Sequence, residues 1–176
     1  LKAAGCKMVR FGVESGTEEI LKVLNKKLTV KKIEETFDIL KRKGMRYIPY
    51  FIIGCPTETR EQIMKTIDLA IKLDPPYVVF AILLILPKTT IFYEGLERGL
   101  YKNDFWLDFI RNPTEDFKPK FWAENFTEKE LDELLVLAHK KFYARPGYIL
   151  RRLLEIRSLK EFSTKANVGF RILFQL

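Results

Sequence analysis

Two segments of the sequence place residues that can bind a small molecule directly after an apolar stretch. In the first, Glu14 and Ser15 follow an apolar run, and in the second Ile52 leads to Gly54 and Pro56. A carboxylate and a hydroxyl can accept hydrogen bonds from hydroxyl or amino groups. Glycine lets the backbone approach a flat ring, and backbone N–H and C=O groups can bind the edge of that ring. The residue types in these two turns therefore predict a small-molecule site.

The segments around these turns predict the elements that position them. Apolar and β-branched residues predict strands at residues 8–13, 45–53 and 78–85, with helical periodicity between them. Ser15 with Glu18, and Thr59 with Gln62, form capping-box patterns ahead of two helices. Alternating strands and helices predict an α/β fold with a parallel sheet, whose strands end at one edge. The two turns are therefore expected to form one site.

The rest of the chain is expected to be mostly helical. Residues 78–85 are almost uniformly apolar, which predicts a strand covered on both faces. Beyond them, helices are predicted at 91–99, from residue 127 to about 142, and at 148–156, and the stretch to residue 176 is apolar enough to be helical. No flexible linker interrupts the sequence, so these helices are expected to pack on the same domain.

Composition limits the class of protein. The chain has 176 residues, 47% hydrophobic and 31% charged, which are values of a globular domain. Its longest apolar run, residues 77–86, is about half of what a membrane-spanning helix needs. Two distant cysteines, Cys6 and Cys55, argue against a disulfide framework and against a complete zinc or iron–sulfur site in this chain. A reducing, cytoplasmic location is the simplest expectation.

Several side chains near the two turns have a structural and a functional interpretation. Glu58 is expected to cap the following helix, and Cys55 to be a small buried residue. Aromatic residues between positions 104 and 122 either cover a substrate or belong to the core. The single histidine, His139, is expected at the surface or at an interface.

Five segments in order resemble the radical S-adenosylmethionine superfamily, in particular the group that often carries a cobalamin-binding domain. The family's motifs G-[IV]-E-S-G and L-x-x-[IM]-N-K correspond to Gly12-Val13-Glu14-Ser15-Gly16 and Leu21-Lys22-Val23-Leu24-Asn25-Lys26. Three further motifs match Phe51-Ile52-Ile53-Gly54-Cys55-Pro56-Thr57-Glu58-Thr59, Pro87-Lys88-Thr89 and Phe142-Tyr143-Ala144-Arg145-Pro146. Thr57 and Lys88 stand where the family pattern has glycine.

The resemblance implies a fold and an activity. Residues 1–100 would form the C-terminal half of a partial TIM-type (β/α)6 barrel, and residues 101–176 a mostly helical extension. The complete enzyme would cleave S-adenosylmethionine reductively to methionine and a 5′-deoxyadenosyl radical, leading to methyl transfer or oxidoreductase chemistry. Its 4Fe–4S cluster would be bound by a CxxxCxxC loop, which this sequence lacks, in a missing N-terminal half. Cobalamin would bind an upstream domain, and this segment alone would be inactive.

The resemblance also implies a role for each candidate residue. Glu14 would accept hydrogen bonds from the ribose hydroxyls or the amino group of S-adenosylmethionine, with Ser15 nearby. Lys26 would pair with the cofactor's carboxylate. The other residues would line the adenine or turn the chain beside it. The full set of expected cofactor-binding residues is Gly12, Glu14, Ser15, Lys26, Ile52, Gly54, Pro56, Pro87 and Thr89.

Simpler alternatives stay open at the level of sequence. Ser15 and Glu14 also suit a helix N-terminus, where serine caps and glutamate complements the dipole. Lys26 and Lys27 also suit a solvated cluster.

The net charge of +8 allows a non-catalytic βα module with a basic surface that binds RNA or a protein. A further alternative is a different βα-barrel enzyme that acts on phosphate-containing substrates. Such an enzyme would need a Gly-rich turn to bind the phosphate, and this sequence contains no such turn. An exposed sheet edge at residues 8–13 predicts concentration-dependent self-association.

Overall fold

A computed structural model describes residues 1–156, 158 and 163. A short 3-10 turn, Lys2–Ala4, precedes three strands and seven helices in this part of the chain. The strands are β1 (Met8–Glu14), β2 (Arg46–Ile53) and β3 (Val79–Ile82). The helices are α1 (Glu18–Val23), α2 (Val30–Arg42), α3 (Arg60–Leu73), α4 (Thr90–Glu97), α5 (Phe105–Arg111), α6 (Glu128–Tyr143) and α7 (Pro146–Leu154).

The three strands form one parallel sheet in the order β1-β2-β3. The α/β fold with helical crossovers is therefore confirmed, and it is consistent with a fragment of a β/α barrel. The helical extension is confirmed as far as α7, whereas its predicted continuation to residue 176 lies outside the described residues. The division of the chain at residue 100 stays a prediction.

The two faces of the sheet differ in burial. Along β2, Tyr47, Phe51 and Ile53 are buried in the main core, which α2, α3 and α6 complete. The alternate residues Ile48 and Tyr50 are only half-buried. Because successive strand residues point to opposite faces, helices cover one face of the sheet much more completely than the other.

The third strand is shorter and less covered than predicted. It ends at Ile82, and Ala81 on it is exposed, so the expectation of a strand from 78 to 85 with both faces buried is wrong. Beyond Ile82 the chain pairs with a later segment instead. Leu84 forms an antiparallel bridge with Phe121, and Ile85 N–H donates to the Lys120 carbonyl at 3.0 Å.

A second apolar cluster lies beyond this strand. It joins Cys55 of the loop after β2 to residues of the C-terminal half, and its largest member, Trp122, is fully buried. The members of this cluster are Ile20, Cys55, Leu83, Ile85, Phe92, Tyr101, Phe105 and Trp122. The interpretation of Phe105 and Trp122 as core residues is therefore confirmed.

Helix α6 ties the C-terminal half to the sheet. Its predicted capping box, Thr127 with Glu130, is confirmed, and its apolar face packs on β3 and α3. After it, Arg145 donates to the carbonyls of Phe142 and Ile71 and to the Asp74 carboxylate. The motif containing Arg145 therefore fixes a helix break against the end of α3. Within the described residues, no helix is long and apolar enough to cross a membrane.

Candidate functional site

The two glycine-containing turns lie at the same edge of the sheet. Strands β1 and β2 are neighbours and run parallel, with Gly12 opposite Tyr50 and Glu14 opposite Phe51. The register shifts between Gly12 and Glu14, which marks a β-bulge at the end of β1. The predicted convergence of the two turns at one sheet edge is thus confirmed, and ligands in α/β proteins bind at such edges.

Gly12, Glu14 and Lys26 form a contacting group at this edge. Lys26 Nζ lies 2.8 Å from Glu14 Oε1, and the Glu14 side chain is 13% exposed. A Cβ atom on Gly12 would lie 2.3 Å from the same oxygen, so a side chain there would displace this carboxylate from its position. Glu14 itself has a left-handed backbone, with φ 69°. Gly12 and the bulged end of β1 together allow the anion of Glu14 and the cation of Lys26 to lie side by side.

The end of α1 explains how Lys26 reaches this group. Asn25 adopts φ 53°, a conformation that asparagine tolerates better than most residues. Lys26 N–H then donates to the Leu21 carbonyl at 2.8 Å, which closes the helix end. The Leu–Asn–Lys spacing singled out in the sequence is therefore a helix terminus that returns the chain toward Glu14.

Ser15 lies apart from this group and has a structural role. Its hydroxyl is fully buried and lies within hydrogen-bond distance of the hydroxyls of Thr17 and Thr66, at 3.3 and 3.2 Å. The expected capping box of Ser15 with Glu18 is wrong, because the N-cap of α1 is Thr17. Glu18 Oε1 instead accepts from Val30 N–H at 2.9 Å, at the start of α2.

The loop after β2 is shaped by two residues with positive φ. Gly54 has φ 73°, and a Cβ on it would lie 2.7 Å from a methyl carbon of Leu131. Pro56 and Thr57 form the centre of a turn closed by Glu58 N–H to the Cys55 carbonyl, at 3.0 Å. Thr57 has φ 62° at the position where such a turn usually has glycine. Gly54 is thus needed both for its backbone conformation and for contact with α6.

The expectation that Glu58 caps the following helix is wrong, because Thr59 is the N-cap of α3 and Glu58 is a buried carboxylate inside the loop. It is fully buried, its Oε2 accepts from Cys55 N–H at 3.0 Å, and its Oε1 has no hydrogen-bond partner among the described residues. Burial raises its pKa to about 7, although the backbone amides of Cys55 and Gly54 act in the opposite direction. Apart from the apolar residues before the loop, no local pattern predicted that Glu58 is buried.

Glu124 holds the same loop from the other side, and sequence reasoning did not single it out. Its carboxylate accepts from Thr57 N–H at 2.9 Å, from Trp122 Nε1 at 3.1 Å and from Arg98 Nη1 at 2.6 Å. Burial would raise the pKa of Glu124, but these donors keep it below its usual value. Because Glu124 is 67 residues from Thr57, no local pattern could have found this contact.

The remaining candidates lie on β2 and after β3. Ile52 is half-buried and packs against the second cluster, and Pro56 is buried in the loop. Pro87 is exposed, and Thr89 is the N-cap of α4, where its hydroxyl accepts from Phe92 N–H at 3.2 Å. Lys88 between them has φ 61°. A tight turn at residues 87–89 thus follows β3 after the short segment that pairs with Phe121.

The described residues offer no group of three or more cysteine, histidine or acidic side chains that could hold a metal ion. Cys6 and Cys55 are both free thiols. Burial, together with the charges of Glu58 and Glu14, raises the pKa of the Cys55 thiol far above its usual value. An iron–sulfur cluster is bound by three or four cysteines, so the residues described here do not fit one.

Two comparisons with known proteins show which sequences this chain resembles. Residues 1–70 match the family model described as the radical SAM superfamily. A protein of Pyrococcus horikoshii named as an uncharacterized methyltransferase is 30% identical to this chain over 155 residues. The alignment covers 88% of this chain and 33% of that protein, so the chain spans about a third of its relative's length.

Proposed function

Since this chain belongs to the radical SAM superfamily, we propose that it supplies part of the S-adenosylmethionine site of a longer radical SAM enzyme. The observation that carries this proposal is the contact of Gly12, Glu14 and Lys26 beside the loop after β2. These residues lie at or beside the strand edge where the family resemblance implies the cofactor.

The charges at this edge suit the amino-acid end of S-adenosylmethionine. That end carries one carboxylate and one ammonium group, and the site presents one cation on Lys26 and one anion on Glu14. Glu14 Oε2 takes no part in the ion pair with Lys26, so it can accept from an ammonium or ribose hydroxyl group. Lys26 can meanwhile attract a carboxylate as a point charge.

The loop after β2 is the proposed wall for the adenine ring. Ile52 and Pro56 offer apolar surface, and Gly54 brings the backbone close without a side chain. Glu58 and Glu124 then hold the backbone of the loop in place through Cys55 and Thr57. Pro87 and Thr89 would bound the same pocket from β3. Ser15 orients the turn after β1 through Thr66 and makes no ligand contact in this proposal.

The bound cofactor would supply a methyl group or a radical, and this chain would bind and orient it. We propose methyl transfer as the outcome, because the similar protein of Pyrococcus horikoshii is named as a methyltransferase.

A 4Fe–4S cluster would be held by residues outside this chain, and the chain alone would not turn over. Cobalamin, implied by the family resemblance alone, would likewise be bound elsewhere. The free thiols suit a reducing, cytoplasmic location.

The proposal is tested with the complete gene product, purified without oxygen, by measuring 5′-deoxyadenosine formation against S-adenosylmethionine concentration. Glu14→Gln and Lys26→Gln should each raise KM for S-adenosylmethionine by about tenfold or more, with a smaller effect on kcat, because each removes a charge-assisted contact. Glu19→Gln and Lys27→Gln are matched controls at exposed neighbours, and both should leave KM unchanged.

Equal KM values in all four variants would overturn the assignment of Glu14 and Lys26. Complete absence of cofactor cleavage by the unaltered gene product would overturn the enzyme proposal itself. Circular dichroism of each variant separates a lost contact from a lost fold.

A further inference from the structure

A cleft of about 550 Å³ opens beside α5, and nothing in the proposed cofactor site uses it. Its walls carry three aromatic rings, from Phe105, Phe109 and Phe117, and three cations, from Arg111, Lys118 and Lys120. This volume is in the range of small-molecule sites. Aromatic and cationic side chains thus face the same space.

The aromatic wall is ordered by ring contacts. The rings of Phe109 and Phe117 are stacked, with centroids 4.0 Å apart and planes 15° apart. Phe117 also contacts Trp106, at 5.3 Å between centroids, and Trp106 Nε1 donates to the Ile85 carbonyl at 2.8 Å. Phe109 and Phe117 are both half-buried. A flat ligand ring can therefore meet aromatic surface that is already held in place.

The cations of the cleft are not neutralised by the described part of the chain. Arg111, Lys118 and Lys120 are exposed, and none of them pairs with a carboxylate there; Lys120 lies over the Phe105 ring, 5.5 Å from its centroid. Asp108, the carboxylate that lines the cleft, accepts from Asn103. The cleft therefore has an excess of positive charge, which favours an anionic ligand.

The cleft lies close to the edge of the sheet. The Lys120 carbonyl accepts from Ile85 N–H just beyond β3, and Lys88 Nζ lies 3.6 Å from Asp104, the N-cap of α5. The segments that carry the cleft thus contact the chain that follows the third strand.

We propose that this cleft binds a nucleotide, with the base against the phenylalanine rings and the phosphate near the three cations. A nucleotide combines the two features that the walls select, a flat aromatic ring and a compact anion. Single-stranded RNA usually needs a groove for about four or more nucleotides, whereas this cleft has the size of one small ligand. S-adenosylmethionine has no phosphate, and its sulfonium cation is repelled by the three positive charges. The inference stands independently of the proposed function.

The test is a titration of the 176-residue chain with AMP, followed by calorimetry, with adenosine and inorganic phosphate as comparison ligands. AMP should bind at least about tenfold more tightly than either of the two, because only AMP engages both walls. AMP that binds no more tightly than inorganic phosphate or adenosine would overturn the proposal. So would an RNA pentamer that binds tenfold more tightly than AMP.

Two variants locate the site. Phe109→Leu removes the ring but keeps an apolar side chain, and Lys118→Gln removes one exposed cation; each should weaken AMP binding by about fivefold to tenfold. Lys31→Gln, an exposed lysine on α2, is the matched control and should bind AMP as the unaltered chain does. Equal weakening in Lys31→Gln and Lys118→Gln would show general charge attraction and contradict the site. Lys118 is exposed, so its variant remains informative even where Phe109→Leu loses the fold.

Discussion

Thr57 and Lys88 both adopt a backbone conformation that usually requires glycine. Both stand where related sequences are expected to carry glycine, and both have left-handed backbones, with φ 62° and 61°. A left-handed conformation costs a residue with a Cβ atom about 1–2 kcal/mol. Each of the two turns therefore carries a cost in the free energy of folding. The hydrogen bond from Thr57 N–H to the Glu124 carboxylate stabilises the turn at Thr57.

Glu58 gives the loop after β2 a dependence on pH. Its pKa is about 7 in the folded chain, against 4.5 as the ordinary value, so the folded state holds the proton more tightly. Stability contributed by this proton is fully present below about pH 4.5 and is lost as the pH rises toward 7. Above that pH a buried carboxylate with one unpaired oxygen persists in the folded chain.

Glu58→Gln should remove this pH dependence, because the amide cannot ionise. Urea unfolding at several pH values between 4.5 and 8 should show the unaltered chain losing roughly 3 kcal/mol relative to the variant across this window. Glu61→Gln is the control, since Glu61 is exposed and pairs with Lys65 on the surface of α3. A variant at position 58 with the same pH slope as the unaltered chain would contradict the account.

At the scale of elements, the contact between the turn after β1 and helix α3 fixes the strand end that carries Glu14. Gly16 N–H donates to Thr66 Oγ1 at 2.9 Å. A Cβ on Gly16 would lie 2.6 Å from the Lys65 carbonyl oxygen and 2.7 Å from Thr66 Cα, both backbone atoms of α3. Glycine is therefore required here by close approach of two backbones.

Gly16→Ala should destabilise the chain by about 2 kcal/mol, because α3 must move away and the buried hydroxyl group of Ser15 loses its partner. Gly147→Ala in α7 is the control: a Cβ there meets nothing within 4 Å, so its urea midpoint should stay within about 0.5 kcal/mol of the unaltered chain. Equal unfolding midpoints for Gly16→Ala and the unaltered chain would show that the two elements are not in this contact.

Local patterns predicted the elements well where the stabilising contacts were local. Thr59 with Gln62 and Thr127 with Glu130 are capping boxes in sequence and in structure. Ser15 fits the same pattern, yet its partner Thr66 is 51 residues away, and that distant contact decides its role. The third strand was predicted too long because pairing between Leu84 and Phe121 is equally invisible to local pattern.

At the scale of the whole molecule, one sheet carries both the core and the candidate site. Helices α2, α3 and α6 cover one face, while Ile48, Tyr50 and Ala81 on the other face are half-buried or exposed. Strand β1 lies at the end of the strand order and has no second neighbour among the described strands. The self-association expected through this edge stays a prediction.

Sequence reasoning brought together the edge residues of the site but not the residues that support them. The order of strands and the glycine-containing turns were enough to place Glu14 beside the loop after β2. The sequence left a solvated cluster of Lys26 and Lys27 as the alternative to a binding role for Lys26, and it did not predict the ion pair of Lys26 with Glu14 that the structure contains. Glu58 and Glu124 act through burial and distant contacts, which depend on the packing of the complete fold.

The most direct test of the account is to follow the backbone amide chemical shifts of the isotope-labelled chain during titration with S-adenosylmethionine, which detects weak binding. The largest shifts are expected at Glu14, Lys26 and Gly54, at the carboxyl edge of β1 and β2. Titration with AMP should instead shift Phe109 and Lys118 beside α5. Shifts from S-adenosylmethionine that cluster around α5, or that spread evenly over the exposed lysines, would contradict the cofactor site.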